Sequence, residues 1–325
     1  MELTDRLYGK FSVTEPVLLE LLNSTSIQRL KRINQYGMPD ELYHIPGFTR
    51  YEHSLGVMLL LRKLGASIEE QAAGLLHDVS HTAFGHVVDW IPSIGSQEKE
   101  DFQDRIHKTF IVRSNLPKIL QRHELNPEDV VDYKHFSLLE QPAPALCADR
   151  VDYTLREFAD WIDPEAARLC TETLLNYHGK ILFATRESSE RFGTGYARCN
   201  REHWSGSQGI RRYHLLSQAL SIALDSGIIT LDTLFEDDSF VLEKLRAASH
   251  PTIDRILRTL SKKEFHPDEE NPQLRCKKFR YVNPPYLENG IIHTLMETSP
   301  SYKKIIEQDQ ERNKKGINVN VQLSS

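Results

Sequence analysis

Residues 51–57, YEHSLGV, join a polar head of Tyr51, Glu52 and His53 to a small apolar tail that reads as the start of a buried helix. A buried imidazole needs partners on both ring nitrogens, because a polar atom left unpaired in the interior costs about 1–3 kcal/mol. The fold turns on what His53 is placed against.

Upstream, YHIPGFTR (43–50) carries Pro46 and Gly47 and is expected to be a loop. Downstream, the apolar run through MLLLRKLG predicts a helix closing near Gly65, with His53 in its first turn. The next helix opens on Ser67, with Glu69 and Glu70 behind it as a capping signature, and ends at the pair His77-Asp78. Before the opening stretch, residues 16–37 predict two short helices broken at Asn23, Ser24 and Thr25. Helical spacing recurs over 100–116 and over 144–162, where Leu146, Val151, Leu155 and Phe158 form an apolar stripe, so the first half is expected to be all-helical.

From 166 to 200 the character changes, and TETLLNYHGKILFATRESSERF predicts a β-hairpin turning at His178-Gly179. Helices follow over 211–227, 232–249 and 250–260, then a strand in KKFRYVNPPYL (277–287). The expected organisation is a helical core with the site over 1–165, its continuation with the hairpin and a mixed carboxy-terminal lobe over 166–310, and a disordered polar tail over 311–325.

The 325 residues are 39% hydrophobic and 26% charged, with no apolar run near the ~18 residues a membrane span needs. The amino terminus lacks the pattern of a secretory signal, so a cytoplasmic protein is expected. Four widely spaced cysteines suggest neither a zinc ribbon nor a disulfide scaffold. A net charge of -6 argues against extended nucleic-acid binding and leaves a small anionic substrate in play.

His53, His77, His81, His86 and His107 fall within 55 residues. Taken singly, His53 reads as a core or capping histidine, and Asp149 and Asp152 as a helix face salt-bridged to Arg150 and Arg156. Taken together, His53, His77, Asp78 and Asp149 offer nitrogen and oxygen ligands of the type that Mn, Fe, Co, Ni or Zn accepts, with Mg admitted alongside, in an open and therefore catalytic site.

In their order, SIQRLKRINQYG, RYEHSLGV, HDVSHTAFGH and ADRVDY resemble the HD-domain phosphohydrolases, named for the His-Asp doublet. Within them the likeness is to the branch of dNTP triphosphohydrolases that contains the mammalian SAM-and-HD-domain enzyme and bacterial relatives, closely over residues 5–160 and weakly to about residue 300. The resemblance implies a mainly α fold, an HD helical core, with His53, His77, Asp78 and Asp149 as ligands of a divalent transition metal. It implies catalytic roles for His81, His86, Asp89 and His107, the last followed by Lys108 where the family carries an acid. Arg50, Gln35, Tyr36, Arg150 and Tyr153 match substrate contacts, as do Arg211, Arg212 and Tyr213, although a basic residue expected several positions before Arg211 is missing.

The mechanism so implied is attack of metal-activated water on a nucleotide phosphoester, with a proton supplied by His81 or His107 and one imidazole oriented by Asp89. Mono-, di- and triphosphates, a dinucleotide and other phosphoesters all stay open as substrates. So do two other classes, an HD nuclease on single-stranded nucleic acid and a nucleotide sensor without turnover. By analogy a dimer or higher homo-oligomer is expected, with Trp204 and the helix beginning at Arg211 at its interface.

Overall fold

The computed structural model describes residues 1–262, 265, 273–275 and 277–319; Cys276 and the end of the expected tail, 320–325, lie outside them. Helix Arg50–Lys63 is the axis of the chain, and every residue from His53 to Leu61 is buried. Its start is set locally. Thr49 Oγ1 accepts the Glu52 N–H at 3.2 Å, and the Glu52 carboxylate accepts the Thr49 N–H at 2.8 Å, a reciprocal capping box that consumes two otherwise orphaned donors. After the left-handed turn at Gly65 (φ +76°), Ser67 caps helix Ile68–Leu76, which runs back along the first.

Helix Ala148–Glu157 crosses the axis at Gly56. A Cβ on that glycine would lie 2.0 Å from Arg156 Nη2 and 2.2 Å from Asp152 Oδ1, so the crossing depends on a residue without a side chain. Leu146, Val151, Leu155 and Phe158 are all buried in the cluster built round these helices, as their spacing predicts. A second apolar cluster gathers helices Ser207–Asp225, Asp238–Ala247 and Pro251–Leu260 with the short Gly85–Trp90 turn. Tyr153 packs against both clusters, and the cavities described below are walled from both.

The predicted hairpin forms, Leu174–Tyr177 against Lys180–Phe183, with His178 (φ +50°) and Gly179 (φ +78°) both left-handed as a two-residue hairpin turn requires. It pairs through Phe183 and Tyr286 with a second hairpin, Pro285–Glu288 and Ile291–Thr294, to make a four-stranded sheet.

The remaining differences from expectation have local causes. The first half is not all-helical, because Glu2–Asp5 pairs with Gly9–Ser12. Residues 186–199 form a helix rather than a continuation of the hairpin region. Their serines and glycines have poor helix propensity, but Gly193 and Gly195 let the helix settle against Tyr302 and Phe158. The strand expected over 277–287 begins only at Pro285, and 277–284 runs as an irregular strap. The expected tail starts inside helix Pro300–Lys315 and continues as strand Ile317–Val319, paired with Gln273–Arg275. Past Pro300 its apolar residues are only Tyr302, Ile305 and Ile306, with Tyr302 and Ile306 one turn apart and both buried, so its composition conceals it. Among the described residues no helix is long and apolar enough to cross a membrane.

Gly56→Ala is expected to destabilise the protein by about 1–3 kcal/mol, the usual cost of overpacking, because Asp152 and Arg156 are locked and cannot yield. Thermal unfolding followed by circular dichroism should show a midpoint several degrees lower; an unchanged midpoint would mean that the helices are not in close contact there.

Candidate metal centre

Three helix ends bring the predicted ligands together. His53 lies in the first turn of Arg50–Lys63, His77 caps the carboxyl end of Ile68–Leu76, and Asp149 lies in the first turn of Ala148–Glu157. The last carbonyls of a helix lack intrahelical donors, and His77 Nδ1–H supplies one to Gly74 O at 2.7 Å. His53 Nδ1–H donates to Asp152 Oδ2 at 2.8 Å.

Those two bonds decide the chemistry. With each Nδ1 committed as a donor, both Nε2 atoms face inward, 3.2 Å apart, and Asp149 Oδ1 sits 3.0 Å from one and 3.5 Å from the other. Three such atoms converging on one point need a cation between them, either a proton or a metal ion that displaces it. Metal–ligand bonds of about 2.0–2.2 Å place neighbouring ligand atoms about 3.0–3.5 Å apart, so the donor set fits a transition metal. Asp78 stands beside the trio, with Oδ1 3.6 Å from His77 Nε2 and Oδ2 3.8 Å from His53 Nε2, while Arg50 Nη1 donates to Oδ2 at 2.5 Å.

Burial opposes charge on His77, but the Asp78 and Asp149 carboxylates outweigh it and lift the imidazole to about 9. His53 is raised too, its burial overcome by Asp149 and Asp152. Asp149, though buried, is held well below the usual carboxylate range by its bonds to the two histidines.

His53 is further anchored from behind. Asp152 accepts from Arg156 Nε at 2.9 Å and from the Tyr8 hydroxyl at 2.9 Å, and Arg156 reaches Asp5 at 2.8 Å. The helix-face pairing of Asp152 and Arg156 that spacing suggests is therefore present, and it also orients a candidate ligand. Asp152 was legible as a salt-bridge residue; its role behind His53 was not.

The cluster lies in a cavity of about 490 Å³, which His81, His86, Arg50, Gln35, Arg150 and Tyr153 also line. His81 Nε2 is 3.3 Å from Asp78 Oδ1, and burial together with the Arg50 charge pushes its pKa well below the ordinary histidine value. His86 Nδ1 is 3.1 Å from Asp89 Oδ2, whose other oxygen accepts the Phe102 N–H. Arg50 is admitted by Gly85, where a Cβ would lie 2.7 Å from Nη2. Arg150 is held by the carbonyls of Gln141 and Ala145, at 3.3 and 2.6 Å.

A second recess of about 110 Å³ shares Gln35, Arg50, His86 and Tyr153 with the first and is walled by aromatic rings, among them Tyr36, Phe48, Tyr213 and Trp204. At its back the buried Glu157 accepts from His203 Nδ1–H (2.8 Å), Trp204 Nε1–H (2.6 Å) and Trp161 Nε1–H (3.1 Å), and Tyr43 donates to His203 Nε2 at 3.0 Å. Spacing in the chain gave no hint of this network, because its members come from three separate segments, at Tyr43, Glu157–Trp161 and His203–Trp204.

Several expected contacts lie elsewhere. Arg212 is fully buried and spends its guanidinium on the carbonyls of Leu42, Leu260 and Lys262, and Arg211 lies 4.3 Å over the Phe265 ring; neither is among the described residues lining the two cavities. Only Tyr213 of that triplet reaches the recess. His107 bonds to Ser80 and lines a neighbouring cavity with Lys108, while burial and the nearby His77 push it down to about 4, so it is poorly suited to carry a proton. Trp204 and Arg211–Tyr213 are used in internal contacts, not on a free face. Lys277 and Arg280, from the strap, are cations at the site that the expected strand had hidden.

His53→Ala is expected to abolish tight metal binding, and Asp152→Asn to weaken it about 10–100-fold, both measured by calorimetry and metal analysis. Below about pH 9 His77 carries a proton that a metal must displace, so apparent affinity should fall as pH falls, up to about tenfold per unit. Calorimetry in buffers of different ionisation enthalpy should register the released proton; metal binding indifferent to pH 6–8 would contradict the geometry.

The HD domain family model matches residues 50–157, the span from Arg50 to Glu157 that holds all four predicted ligands. The chain is 36% identical over 332 residues to the uncharacterized protein YdhJ of Bacillus subtilis, covering 99% of each. It is 31% identical over 297 residues to the metal-dependent phosphohydrolase cns2 of Cordyceps militaris, covering 88% of this chain and 85% of that one. The fold is similar to the crystal structure of a phosphohydrolase from Bacteroides thetaiotaomicron, with a TM-score of 0.65 at 18% identity over 93% of this chain and 95% of that one. Convergent ligands and full-length similarity agree: this chain is a hydrolase belonging to the HD-domain family of metal-dependent phosphohydrolases.

Proposed function

We propose that the chain hydrolyses a phosphoester of a nucleotide at the His53–His77–Asp149 cluster. One observation carries the reading: the cavity holding the cluster shares a wall with an aromatic recess, so a phosphate at that wall reaches the ligands while a planar ring attached to it reaches Tyr36, Phe48 and Trp204. Cavity size agrees, since about 490 Å³ lies within the ~300–1,000 Å³ common for small-molecule sites.

A divalent transition metal bound there supplies Lewis acidity, making water nucleophilic near neutral pH and offsetting phosphate charge. The remaining work falls to the chain. Arg50 is buried, is fixed on Asp78 and lines both cavities, which sets its guanidinium in the wall against which a phosphate would lie. His86 is half-exposed, lines both cavities and is tied through Nδ1 to Asp89, which leaves Nε2 to pass a proton to the leaving oxygen. His81, held on Asp78, serves to position that carboxylate.

A panel of nucleoside mono-, di- and triphosphates with several divalent metals, analysed by chromatography, tests the reading. His77→Ala and Asp78→Ala should abolish both metal binding and turnover; turnover persisting in metal-stripped protein would defeat it. His86→Ala should lower kcat about 10²–10⁴-fold, and His107→Ala less than tenfold. The reverse order would return the proton-donor role to His107. Cleavage of oligonucleotides with steep salt dependence would replace the nucleotide reading by a nuclease.

A further inference from the structure

Each cation lining the metal cavity already has a partner. Arg50 is on Asp78, Lys134 Nζ is 4.0 Å from Asp104, Lys278 Nζ donates to the Lys99 carbonyl at 3.2 Å, and Arg150 is on its two carbonyls. Arg280 donates to Glu100. Among the described residues, the five Lys and Arg side chains of the lining face five carboxylates.

Glu100 is the unusual member. It is buried, it holds a left-handed backbone (φ +48°) that non-glycine residues rarely adopt, and no sequence feature singled it out. Its Oε2 accepts from Arg280, and its Oε1, with no hydrogen-bond partner among the described residues, lies 3.9 Å from Lys277 Nζ. Lys277 in turn stands 3.9 Å over the Tyr213 ring, in the wall of the aromatic recess. Burial would raise the Glu100 carboxyl, but Arg280 and Lys277 hold it down at about 2, so it is ionised at any working pH.

We infer that Glu100 sets the substrate class of this site, holding Lys277 and Arg280 half-neutralised so that the site takes a phosphate monoester and turns away di- and triphosphates. The inference rests on the phosphohydrolase reading above. A monoester brings a charge that a divalent metal and Arg50 balance. A triphosphate brings roughly two further negative charges, and in a partly desolvated cavity these would meet cations already paired, with the buried Glu100 charge standing behind Lys277 and Arg280. Arg211 and Arg212, the cations expected to hold a longer phosphate chain, are turned into the core.

The test uses the full chain in excess Mn²⁺, comparing nucleoside monophosphates with the matching triphosphates, and inorganic phosphate with imidodiphosphate by calorimetry. The wild type should favour the monophosphate in kcat/KM, and phosphate over imidodiphosphate in affinity, each by at least tenfold. Glu100→Gln should move both ratios at least tenfold toward the longer anions, and the charge-restoring pair Glu100→Gln with Lys277→Met should bring them back. A wild type that prefers triphosphate and imidodiphosphate, or ratios unmoved by Glu100→Gln, overturns the inference. If Glu100→Gln does not fold, the wild-type preferences decide alone. Hydrolysis of no nucleotide, with phosphate still favoured over imidodiphosphate, would defeat the parent reading and leave the anion preference supported.

Discussion

Two imidazole Nε2 atoms 3.2 Å apart, with a carboxylate oxygen beside them, form an arrangement that proteins do not tolerate without a cation, either a proton or a metal ion. It is enforced from outside the site. The Gly74 carbonyl takes one Nδ1–H and Asp152 takes the other, so neither ring can turn its donor inward to relieve the clash. A metal ion at that point converts the three atoms into a ligand set, and the helix ends around it exist in the positions that this convergence requires.

Charges are carried outward from the centre in pairs. His53 rests on Asp152, Asp152 on Arg156, and Arg156 on Asp5, while Tyr8 closes the same carboxylate. Buried charges are costly unless each is met by another, and removing one partner exposes the full cost on the rest. The amino-terminal strand pair is thereby explained: it is too short to be stable alone, but it delivers Asp5 and Tyr8 to the back of the metal centre. On the other side Arg50 couples Asp78 to the wall that the two cavities share, so a single chain of contacts runs from the candidate ligands to that wall.

Local signals proved readable. Ser67 with Glu70, Ser24, Gly65 and His178-Gly179 act within three or four residues of themselves, and caps and turns formed where such residues stand. Features that depend on a distant partner were not. Helix Arg186–Cys199 is a poor helix former until Phe158 and Tyr302 pack on its glycines, and helix Pro300–Lys315 shows its buried Tyr302, Ile306 and Asp309 only against the rest of the fold. Arg211 and Arg212 look like phosphate ligands in the chain, yet carbonyl groups and the Phe265 ring claim them first.

By itself the sequence determined which residues could be ligands: His53, His77, Asp78 and Asp149 are types that bind a transition metal, and their order resembles one family's motif. It also determined where the helix leading to His77 begins, because Ser67 caps it across three residues. Only the tertiary structure decided which nitrogen of each histidine faces inward, that Asp152 stands behind His53, that His107 lies in a separate cavity, and that Lys277, Arg280 and Glu100 meet beside the ligands. These depend on groups far apart in the chain, and no periodicity or motif encodes a distance between residues 100 and 280; packing does.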